Sequence, residues 1–192
     1  MRVKYNAPTI LTFAFLCALV LALTQTLLPN LTPDWFTAPG RGRFSPTSPQ
    51  SWVALLSHVA GHYDWRHLFA NFSVILLIGP MLEESHGSLV MLLMILTTAA
   101  VTGLLNMVFF PTMLMGASGV VFMLILLASF TNFGKGEIPL TFILVLAMYL
   151  GVQVFASFDG ADDISHFAHV VGGLCGSLFG LFLPPLRRWR AP

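Results

Sequence analysis

The sequence predicts an all-α membrane protein: a six-transmembrane-helix bundle with a long first extracytoplasmic loop. Three observations lead there. The chain of 192 residues is 56% hydrophobic, only 9% of its residues are charged, and its apolar residues gather into six runs of helical length. A soluble domain carries about 25% charged residues. Inside a bilayer the backbone has no water to bond, so apolar runs this dense must satisfy their own N–H and C=O groups as helices.

The runs cover residues 8–28, 66–82, 88–110, 118–130, 138–155 and 167–183, and together form one membrane domain over 1–192. The first follows a basic start (Arg2, Lys4), as a secretory signal would. It stays apolar for about 20 residues, a spanning length, and no small-residue cleavage site follows Leu28, so it reads as a retained span. Short connections after Leu82, Phe110, Phe130 and Phe155 make neighbouring helices antiparallel. Residues 29–65 differ, being rich in Pro, Ser and Gly and carrying Trp35, Trp52 and Trp65. A connection that long is expected to be functional, and its tryptophans suit the membrane interface.

Basic residues set the expected orientation. With the N-terminus inside, Arg2, Lys4, Lys135, Arg187, Arg188 and Arg190 are cytoplasmic, while Arg41, Arg43 and Arg66 lie outside. The excess puts both termini in the cytoplasm and turns the long loop and the acidic stretch 159–163 outward. The run 118–130 is short: at 1.5 Å per residue it covers about 20 Å of a core about 30 Å thick. Residues 110–116 are therefore expected to dip into the membrane as extended chain, which places Ser118 below the surface in a wet cavity.

A net charge of +1 with no basic block gives no footing for nucleic acid. Cys17 and Cys175 sit in apolar runs far apart and read as small buried hydrophobes. No phosphate-binding loop or ligand cluster implies a cofactor or a metal.

Three constellations carry candidate chemistry. In Gly116-Ala117-Ser118-Gly119, the glycines allow a sharp turn and close approach, and the helix start offers unpaired N–H groups to an oxyanion. The same residues also fit an N-cap serine with small-residue packing. His169 lies within an apolar run beside Ala168, Gly172, Gly176 and Gly180, a smooth i+4 stripe that admits a partner helix. An imidazole there is a functional candidate by default, or else a histidine bonded to a carbonyl near the surface. His67 and Asn71, at i and i+4, share one helix face and would be costly to bury unused. No carboxylate completes a triad, since Asp162 and Asp163 lie about two turns before His169. Phe122, one turn after Ser118, is placed to stack on the imidazole and hold it in the acid's stead.

HxxxN on the second helix, GxSG opening the fourth and AHxxG on the sixth together resemble the rhomboid intramembrane serine proteases, in their compact bacterial six-helix form. The resemblance covers nearly the whole chain. It implies that Ser118 attacks the peptide, that His169 is its base, and that His67, Asn71 and the Ser118 N–H form the oxyanion hole. It further implies supporting roles for Gly116, Gly119, Gly172 and Phe122, which stands where bacterial members often have tyrosine. His62 matches a histidine behind the active site with a structural or water-retaining role. Substrates would be single-span or multi-span membrane proteins in the lipid bilayer, cut at small residues near helix-breaking ones, in a bacterial plasma membrane. Two departures bear on loop packing: Trp52-Val53 replaces a Trp-Arg pair, and Glu83-Glu84-Ser85 lacks a frequent arginine.

Rival readings are weaker. His58 and His62 have the i, i+4 spacing of a metalloprotease, but Val59-Ala60-Gly61 supplies no glutamate base; His58 is then expected to be interfacial. A transporter would show internal repeats, and none is evident. An inactive rhomboid-like binder of transmembrane helices would not need Ser118, His169, His67 and Asn71 together.

Overall fold

Pro8 opens the first helix, α1 (Pro8–Thr26), at a position where its missing N–H is no loss. In the computed structural model of the chain, which describes residues 4–130, 140, 143, 144, 147, 163–183 and 185, that helix end is capped from afar. The Glu83 carboxylate accepts the N–H groups of Thr9 and Ile10, each at 2.9 Å. Thr9 Oγ1 donates to the Ser88 carbonyl at 2.9 Å, so three segments meet at one end of the bundle.

Helix α4 (Trp65–His86) begins one residue earlier and ends four residues later than the expected 66–82. The cause is local at both ends. Asp64 Oδ1 accepts the His67 N–H at 2.7 Å as an N-cap, and Gly87 ends the helix at φ 89, a conformation that suits glycine. Helix α5 (Ser88–Phe109) follows at once and matches the expected 88–110 within a residue. Helix α6 (Ser118–Phe130) has the expected bounds. Helix α7 (Asp163–Phe182) starts four residues before the expected 167. The helix expected over 138–155 lies outside the described residues apart from Leu140, Ile143, Leu144 and Ala147.

Residues 29–65 are not loop throughout, which corrects the sequence reading. They hold α2 (Leu31–Trp35), α3 (Pro49–Ser57) and a 3-10 turn at His58–Ala60. Pro49 stands at the start of α3, a position that proline favours as in α1, and packing supplies the rest. Gly103 on α5 leaves room for the Leu55 carbonyl, so α3 lies against α5 with no side chain between them. Trp52 is exposed, yet its indole N–H bonds the Pro46 carbonyl at 3.0 Å and its ring meets Phe44 edge-on, with centroids 4.9 Å apart. The loop lacking the Trp-Arg pair thus closes on its own aromatics.

Among the described residues, α1, α4 and α5 are long and apolar enough to cross a membrane, while α6 and α7 are shorter apolar helices. Cys17 and Cys175 are buried and unpaired. The core runs through the middle of the bundle, where Ile10, Ile75, Met91, Met123 and Leu124 are fully enclosed.

Candidate functional site

Residues 110–116 connect α5 to α6 without helix, and bilayer chemistry demands that their backbone be bonded to protein. Ala38 and Leu114 exchange N–H···O bonds of 2.8 and 3.0 Å. Asn106, fully buried on α5, donates Nδ2–H to the Thr112 carbonyl at 3.0 Å. The Gly116 N–H donates to the His58 carbonyl at 3.0 Å. The chain therefore reaches Ser118 already pinned at three points.

Gly116 has φ +120, open to glycine and strained for other residues. It is also covered: a Cβ there would stand 2.7 Å from His67 Cε1 and 2.9 Å from its Nε2. The His67 ring thus lies over the turn that leads into Ser118. Its Nδ1 is buried and has no hydrogen-bond partner among the described residues.

The serine helix and the histidine helix meet backbone to backbone. A Cβ on Gly172 would overlap the Gly119 carbonyl, and one on Gly176 would overlap that of Met123. A Cβ on Gly119 would sit 3.3 Å from the Ala168 carbonyl, so the residue after Ser118 packs on the residue before His169. Phe122 and His169 lie ring against ring, with centroids 4.3 Å apart and planes 33° from parallel.

Asn71 is buried, and its Nδ2 lies 3.3 Å from His62 Nε2. His62 Nδ1 lies 3.4 Å from the Ala60 carbonyl, which requires a donor there and leaves Nε2 as the acceptor for Asn71. Burial, and next the proximity of His67, push the His62 pKa down to about 4, so the ring is neutral near neutral pH. Asn71 spends one of its N–H groups on His62 and keeps the other. The rings of His62 and His67 are 5.0 Å apart and edge-on.

His58 is not interfacial, contrary to the sequence expectation. It is 1% exposed, with Nδ1 3.2 Å from the Leu55 carbonyl and Nε2 3.2 Å from Thr102 Oγ1. Burial lowers its pKa to about 4, so it too is a neutral ring, held between the Leu55 carbonyl and the Thr102 hydroxyl. Sequence reading missed the partners of these rings. The signal was the spacing of Thr98, Thr102 and Asn106, a polar i+4 stripe on an otherwise apolar helix, and all three are buried.

Packed apolar helices around a serine at a helix start and an imidazole on the adjoining helix define an integral membrane protein with a polar centre. The Rhomboid domain family matches residues 49–186 of the chain. The chain is 32% identical over 157 residues to Rhomboid-related protein 1 of Caenorhabditis elegans, covering 75% of this chain and 43% of that protein. It is 24% identical over 136 residues to Rhomboid protease GlpG of Haemophilus influenzae, covering 69% of this chain and 70% of that protein. It thus spans less than half of the first relative and about two thirds of the second. This chain belongs to the rhomboid family.

Proposed function

We propose that the chain is an intramembrane serine endopeptidase that cleaves transmembrane segments through a Ser118–His169 dyad. The observation that carries this reading is the seating of His169 against Phe122, one turn from Ser118, on helices whose backbones touch at Gly119 and Gly172. Ser118 Oγ attacks the scissile carbonyl carbon while the His169 imidazole takes its proton. The oxyanion is held by the Ser118 N–H, the free Asn71 N–H and His67. His169 returns the proton to the leaving amine, and water, activated by the same imidazole, hydrolyses the acyl-enzyme. The Phe122 ring holds the base in the place of a carboxylate, and His62 holds Asn71. Gly116, Gly119 and Gly172 support the site by the close approaches they permit.

The substrate is a membrane protein whose helix unwinds locally, because a helical backbone keeps its carbonyls in its own ladder. The domain is proposed to be one six-helix bundle over 1–192, with the 29–65 connection outward and both termini cytoplasmic, in a bacterial plasma membrane. The relative named a rhomboid protease supports the activity; no metal or cofactor enters the scheme.

The test uses wild type, Ser118→Ala and His169→Ala in liposomes with a model single-span substrate, a chelator control and a fluorophosphonate probe. Cleavage and labelling by wild type alone are expected, with a loss of at least about 10³-fold in each variant. A folded wild type that neither cleaves nor takes the probe would make the chain an inactive rhomboid-like protein.

A further inference from the structure

A groove of about 580 Å³ opens between α1, α3 and α5. Its walls are α1 at Phe13 and Leu16 and α5 at Leu92 and Leu96, and its roof is Leu56 of α3 with Val59 of the 3-10 turn. Three hydroxyls reach it, and each is already spent. Thr9 donates to the Ser88 carbonyl at 2.9 Å, Thr12 pairs with the Tyr5 hydroxyl at 3.0 Å, and Ser57 donates to the Val53 carbonyl at 3.0 Å. The groove therefore asks for an occupant with no hydrogen-bonding groups. Water is excluded as a filling on the same ground, because it needs two to four polar partners.

The groove is continuous with the outward apolar face of two helices long enough to span, on which Leu16, Leu92 and Leu96 are all exposed. The solvent there is hydrocarbon. We propose that one acyl chain of a bilayer phospholipid lodges in this groove and backs the His58–Ala60 turn. A tail leaving lipid for the groove gains no hydrophobic energy; it gains wall contacts on three sides, which are dispersive and depend on shape.

The position gives the tail a consequence. The roof turn carries the His58 carbonyl that accepts the Gly116 N–H and the Ala60 carbonyl that meets His62. Val59 and Ala60 of that turn line the groove, so an occupant adds contacts to a turn that protein already buries on its other sides. Neither lipid binding in the groove nor the order of this turn depends on proteolysis.

The test reconstitutes the full chain in phosphatidylcholine liposomes with a trace of phosphatidylcholine carrying a diazirine at the tail end. After irradiation, labelled peptides are mapped by mass spectrometry. Label should concentrate on Phe13, Leu16 and Leu92 relative to Leu174 and Leu178, exposed positions on α7. Leu96→Trp, which plugs the groove, should remove the groove label and spare α7; Leu92→Phe is the milder second plug should the first not fold. Amide exchange at Gly116 should quicken on delipidation in wild type and be held slow by the plug. Equal labelling of groove and α7, groove label that survives a folded plug, or cross-linking of groove positions to a second copy in place of lipid would each overturn the proposal.

Discussion

Gly172 lies so close to Gly119 that the glycine carbonyl of α6 fills the space a side chain on α7 would need. Ser118 and His169 thus sit on helices with nothing but backbone between them at that level. Dispersion between close backbones is the main glue for helices in lipid, where burial against a neighbour gains little over burial in tails.

Enlarging that glycine is therefore expected to part the two helices. Gly172→Val should abolish cleavage of a model substrate and lower the melting temperature, with Gly172→Ala intermediate. A melting curve and a cleavage assay on each variant check this. Wild-type activity in Gly172→Val would remove the helix contact from the account.

Gly116 is constrained twice, by its φ of +120 and by the His67 ring 2.7 Å from where its Cβ would be. Gly116→Ala is expected to cost about 1–3 kcal/mol in backbone strain alone. It should also displace His67, so activity should fall further than the loss of folded protein explains. Comparing activity per folded molecule separates the two effects.

Asn71 and His62 are expected to act in series. Asn71→Ala removes a proposed oxyanion donor and should lower kcat by about 10²–10³-fold with little change in KM. His62→Phe leaves the donor but frees it, and should give a smaller loss. A double variant no worse than Asn71→Ala alone would show that His62 works through Asn71.

Two buried imidazoles set an expected pH dependence of stability. His58 and His62 both have folded pKa values lowered from 6.5 to about 4, chiefly by burial. Between those values the unfolded chain binds more protons than the folded one, so stability falls as pH drops from 6.5 towards 4 and is fully present above 6.5. Melting across that range should show the slope, and His62→Phe should flatten it. Neither ring titrates between about pH 5 and 8, so an inflection of kcat there reports another group, proposed to be His169.

Glu83 accepts two backbone N–H groups at the start of α1 from a position 3% exposed. Glu83→Ala leaves the buried Ile10 N–H unpaired, at about 1–3 kcal/mol, and the partly buried Thr9 N–H at a smaller cost. Glu83→Gln keeps one acceptor oxygen and should fall between. Thermal melting of the three proteins orders them.

The apolar runs make most helix positions legible in the sequence, because in a bilayer a helix is the solution that satisfies every backbone group. The ends of α4 escape that logic. Asp64 and Gly87 set them by capping and by a positive φ, and hydropathy does not register either. Helix α3 escapes it too, since it is held by α5 through Gly103. The burial of His58 escapes it as well, since a histidine near a loop end looks interfacial until Thr102, far away in sequence, is found beside it.

By itself the sequence determined that this is a helical membrane protein and which polar side chains stand out from its apolar background, because each costs free energy there and so marks itself. Only the tertiary structure decided which of them meet. Gly172 against Gly119, His67 over Gly116 and Glu83 on the end of α1 join residues from different helices. Spacing along one helix carries no information about the face of another, and that contact geometry is settled only when the backbones pack.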